Sequence, residues 1–70
     1  MSNATQKDLQ NRLDEIRDEL ESLFKSNLKI TDWNVPEADD QDAAEILIDI
    51  LQKKLDEIKQ DVKEGKYKNY

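Results

Sequence analysis

Two pairs of carboxylates stand three residues apart, Glu15 with Asp18 and Asp42 with Glu45. Residues at that spacing share a helix face, and two such faces brought together can grip Mg²⁺ through oxygen ligands. A cage of this kind needs its oxygens to converge and to be partly shielded. On a helical wheel all four side chains point away from the apolar stripe, toward water, so they read as solvated helix faces. Asp32, Asn34, Asp39 and Asp40 raise the question of a calcium loop. Pro36 stands where such a loop places a ligand and Glu37 replaces its invariant glycine, so the register fails.

Composition removes most other chemistry. The 70 residues contain no His, no Cys and one Gly. A catalytic triad, thiol chemistry and the usual zinc ligands are therefore missing, and a glycine-rich phosphate loop cannot be built. The expectation is a non-enzymatic protein with no cofactor and no metal.

Charge gives a sharper feature. Eleven Lys or Arg face seventeen Asp or Glu, for a net charge of −6. Between Lys29 and Lys53 there is no basic residue, yet Asp32, Glu37, Asp39, Asp40, Asp42, Glu45 and Asp49 all fall there. Phosphate contacts need cations, so direct nucleic-acid binding is not expected. An acidic stretch can instead imitate a phosphate backbone and occupy a basic site on a partner protein. Helix-dipole complementarity and solubility account for many of the same acids.

Three further residues or segments invite a role. Trp33 is the only tryptophan, suited either to closing the end of a helical core or to anchoring an interface. Lys54 falls inside an apolar sector, where it either snorkels to water or meets a partner's carboxylate. The tail Lys66-Tyr67-Lys68-Asn69-Tyr70 interleaves cations with aromatic rings, though residues beyond a helix stop usually fray.

These residues must be positioned by helices. Leu9, Leu13, Ile16, Leu20 and Leu23 step by four and three, a heptad seam. With Phe24 they occupy an arc of roughly 100°. Thr5 and Asp8 resemble a capping box, and Asp8 with Arg12 and Glu21 with Lys25 form acidic-then-basic pairs at i,i+4. The pattern predicts a helix near 5–27. A second helix is predicted near 38–64, with Pro36 and the acids at its start, lysines at its end, and Gly65 at the stop. Between them lies an apolar connection, residues 28–37. Leu28-Lys29-Ile30 alternates like a strand, while Ile30 also keeps the heptad register of the first helix.

The second helix has an uneven apolar face. Leu55, Ile58 and Val62 span about 60°, whereas Ile46, Leu47, Ile48, Ile50 and Leu51 spread over about 200°. One neighbouring helix cannot cover the wider arc. From Leu9 to Val62 the chain holds eighteen large apolar side chains, more than a domain of this size can fully bury alone. Small domains otherwise rely on disulfides, metals or oligomerisation, and only the last is open here.

The sequence therefore predicts an all-α protein: a two-helix hairpin or crossed helix pair that dimerises into a four-helix bundle. Residues 1–4 fit a tag remnant or disordered start as well as a native beginning, residues 5–64 form the helical domain, and 65–70 are a tail. The expected interface is Leu28, Ile30, Trp33, Val35, Ile46 and Ile50. The expected function is a small acidic protein–protein interaction or assembly module, a homodimer that can also dock a larger protein. The alternative is an acidic regulator that occupies a basic site. No apolar run approaches the roughly 20 residues of a membrane span, and with no secretory signal and no Cys the expected location is cytoplasmic.

Overall fold

The computed structural model describes residues 3–70, which are all-helical and contain no strand. Three helices follow one another: α1 (Asn3–Asn11), α2 (Leu13–Asn34) and α3 (Asp40–Lys63). Of the suggested remnant at 1–4, residues 1 and 2 lie outside the described residues, and Asn3 and Ala4 begin α1. Thr5 and Asp8 therefore sit inside a helix rather than capping one. Asp8 instead binds Arg12, whose Nη2 and Nε approach Asp8 Oδ2 at 3.2 and 3.4 Å.

The helix predicted at 5–27 is corrected at two places. It opens at Arg12, where φ −106° and ψ 11° leave the helical region. There the backbone N–H is shared between the carbonyls of Asp8 (3.3 Å) and Leu9 (3.2 Å). No glycine or proline stands at this break. The ladder resumes at once, since Ile16 N–H donates to Arg12 O at 2.9 Å. The helix then runs on to Asn34. Pro36 supplies the stop, because a proline pushes the preceding residue out of the helical region. Val35 accordingly adopts φ −132° and ψ 79°, while its N–H still closes the last turn on Thr31 O at 2.8 Å.

The connection expected at 28–37 thus shrinks to Val35–Asp39, and Leu28, Ile30 and Trp33 are helical. Five residues span at most about 17 Å, so α3 has to start beside the end of α2. Ala38 N–H closes a tight turn on Val35 O at 2.9 Å. Asp39 then caps α3, its Oδ1 accepting the backbone N–H groups of Gln41 (2.8 Å) and Asp42 (3.3 Å). Asp40 and Asp42 in the first turn complement the positive helix end.

At its far end α3 stops in a Schellman motif. Lys66 N–H reaches Asp61 O at 3.0 Å and Gly65 N–H reaches Val62 O at 3.1 Å. Gly65 holds φ +80°, which an L side chain rarely tolerates. Beyond it Lys66 Nζ lies 3.0 Å from Asp61 Oδ1, and the rings of Tyr67 and Tyr70 sit 5.4 Å apart at 52°.

The molecule is long and thin, 50 × 27 × 17 Å. Its radius of gyration is 16.1 Å, against about 11 Å for a compact domain of this length. No described residue is buried. The most shielded apolar side chains, Phe24 and Leu28 on α2 and Leu47 and Leu51 on α3, are only half-buried. None of the described helices is long and apolar enough to cross a membrane.

Candidate interaction surface

The carboxylate pairs do not converge. Glu15, Asp18, Asp42 and Glu45 are exposed, and Glu45 Oε1 accepts from Gln41 Nε2 at 3.0 Å along its own helix. Among the described residues no group of three or more metal-type ligands gathers. One acidic contact does cross between helices. Asp32, half-buried on α2, meets Asp40 at the start of α3. A hydrogen bond between the two carboxyls, partial desolvation and like-charge repulsion together raise the Asp32 pKa above its ordinary value. Elsewhere opposite charges pair as the spacing predicts: Lys25 Nζ is 2.7 Å from Glu21 Oε2. That bond lowers the Glu21 pKa and raises that of Lys25. Lys54 is solvated and lies 3.5 Å from Glu57 Oε1.

What the helices do assemble is apolar surface. A central groove of about 310 Å³ is lined by Arg17, Leu20, Glu21 and Phe24 from α2 and by Ile48, Leu51, Gln52 and Leu55 from α3. A second groove of about 290 Å³ lies at the turn, lined mainly by Thr31, Val35, Ala38, Ala43, Ile46, Leu47 and Ile50. On the α3 wheel Ile48 and Leu55 fall on one flank of Leu51, with Ile46 and Ile50 on the other, so the grooves occupy opposite flanks. Both are open to solvent, as the spread of isoleucines around α3 requires.

The six residues expected at the interface are not gathered into one patch. Val35, Ile46 and Ile50 line the turn groove together. Leu28 is half-buried. Ile30 continues the heptad seam at 55% exposure, and Trp33 stands 85% exposed, closing no core. Residues outside that set are open to solvent as well. Leu13, Ile16, Leu20 and Leu23 on α2 and Leu55, Ile58 and Val62 on α3 are all exposed. Their signal was the heptad itself, which reads as an intramolecular seam until α3 is seen to leave it open.

Comparison with protein-family models, with curated proteins and with solved structures finds no match.

Proposed function

We propose that this chain is a small, acidic, non-enzymatic assembly module, a helical hairpin that self-associates into a four-helix bundle. One observation carries the reading. Every described residue retains solvent contact, while the heptad seam of α2 and the apolar flanks of α3 lie open together. Isolated exposed leucines are ordinary, but a heptad seam left exposed on one helix together with the apolar flanks of the next marks an association site. Residues 3–70 offer no converging metal ligands, and the sequence has neither thiol nor imidazole, so an interaction role fits better than a chemical one.

Sedimentation equilibrium with parallel circular dichroism, from low to high micromolar chain, tests the proposal. Dimer mass accompanied by helicity that falls on dilution supports it. A fully helical monomer at high micromolar concentration refutes it.

A second reading, an acidic regulator occupying a basic site on a larger protein, is favoured by the crowding of Asp32 against Asp40 beside Asp39 and Asp42. The two readings part on salt. Charge mimicry weakens steeply with ionic strength, whereas apolar association does not.

A further inference from the structure

Charge is divided unevenly along this molecule. Residues 30–49 hold seven acids and no base, and the remainder holds ten acids against eleven bases, a balance of +1. Residues 30–49 are the end of α2, the turn and the start of α3, so the deficit sits at one end of a body 50 Å long. The central groove, by contrast, lies at mid-length: Leu20 and Phe24 are near the middle of α2, and Leu51 and Leu55 near the middle of α3.

The area says how much cover is missing. The chain exposes 6490 Å², whereas a compact protein of this mass exposes about 4500 Å². The excess, about 2000 Å², falls within the roughly 1000–2500 Å² that each subunit contributes to an obligate dimer.

We infer that the occupant of the central groove is a second copy of this chain, lying antiparallel, with its acidic turn alongside the open end of the first. This rests on the assembly reading and adds its orientation and its seat. A two-fold contact centred on the mid-length groove overlays the two chains along their whole length in either sense. The parallel sense sets −7 beside −7. The antiparallel sense sets −7 beside the open end, residues 1–19 and 54–70, whose nine acids and eight bases balance to −1, so far less repulsion acts within the Debye length of about 8–10 Å. A two-fold contact centred on the turn groove would bring the acidic ends together and overlap the helices least. Arg17 stands on the rim of the central groove near Glu21, whose carboxyl its charge helps hold below the ordinary pKa, and its guanidinium can turn from that exposed carboxylate to an incoming one.

The lack of cysteine makes a single spin label clean. Glu37→Cys, labelled at the exposed turn, is measured by pulsed dipolar spectroscopy on the full chain, with sedimentation on the same sample. In an antiparallel dimer the labels are separated by about the length of α3, roughly 36 Å or more. In a parallel dimer they lie about 10–20 Å apart, one or two helix diameters. A dimer with the long distance supports the inference. One with the short distance overturns the orientation and leaves the assembly reading standing. A monomer overturns both. Arg17→Glu, a rim change that spares the apolar residues, should weaken association about tenfold at low salt and less at high salt. An unchanged affinity would remove Arg17 and the central groove as the seat, as would dissociation by Ile46→Glu with Ile50→Glu while Leu20→Glu with Leu55→Glu leaves the dimer intact.

Discussion

Leu20→Ala separates a chain that stands alone from one that is covered. Complete burial of a leucine side chain is worth about 1.5–3 kcal/mol. Leu20 is 47% exposed in the single chain, so about half of that, on the order of 1 kcal/mol, is what truncation removes from a monomer. Seated in a dimer core, the same change removes a buried side chain and leaves a cavity, at about 2–5 kcal/mol. The two ranges do not overlap. Urea denaturation followed by helical ellipticity gives the number, and repeating it across a hundredfold range of chain concentration gives an independent check. Mass action shifts the stability of an associating fold by about 2.7 kcal/mol over such a range. With a urea dependence of about 1–3 kcal/mol per molar for a small protein, the midpoint moves by roughly 1 M or more. A midpoint indifferent to concentration, together with a loss near 1 kcal/mol, would refute the reasoning.

Other perturbations read single features. Asp32→Asn should raise the melting temperature near neutral pH and do little near pH 3. The folded pKa of Asp32 lies above its unfolded value, so this group's contribution is present below the unfolded pKa and lost as pH rises through the folded one; an equal gain at both pH values would rule out like-charge crowding. Gly65→Ala meets no atom within 4 Å and is opposed by φ +80° alone, so it should cost about 1–2 kcal/mol. Amide exchange should show faster opening at Lys66 first, and unaltered exchange there would contradict the Schellman stop. Leu9→Ala sits in α1, nine residues long and below the roughly 12–15 at which an isolated helix holds. It should lower helicity at the amino end without altering the sedimented mass, and a change of mass would place α1 inside the interface.

Much of the helical layout was legible because the punctuation is chemical. Gly65 and the lysines before it mark the end of α3, and at its start, predicted near 38, Asp39 supplies its side chain to the exposed amides. The end of α2 is hidden in the sequence because the apolar and β-branched residues from Leu28 to Val35 resemble a packed connection. Their lower helix propensity costs only tenths of a kcal/mol each, too little to stop a helix, and Pro36 is the first residue that does. Ile30 in the heptad register was the correct signal. The opening at Arg12 has no residue-type signature and shows only in its shared amide. The apolar arc on α3 was legible as surface needing more than one neighbour. Its division into two grooves on opposite flanks depends on where α2 crosses it, which periodicity in one helix does not contain.

The acids near the turn act on two scales. Locally, Asp39 caps α3 while Asp40 and Asp42 face its positive end, so each carboxylate has a stabilising reason to be there. Collectively they gather: Asp32 shares a hydrogen bond with Asp40, and that bond first, then desolvation and like-charge repulsion, raise its pKa; the cluster lies beside the turn groove, lined in part by Asp39 and Asp42. An apolar groove whose lining carries two carboxylates and no cation disfavours its own copy, because the like charges brought together repel while the apolar floors attract. The central groove has Arg17 and Glu21 on its rim instead, a mixed pair that adds no such penalty. Where apolar area alone leaves two seats open on a chain without a buried core, the sign of the rim decides between them.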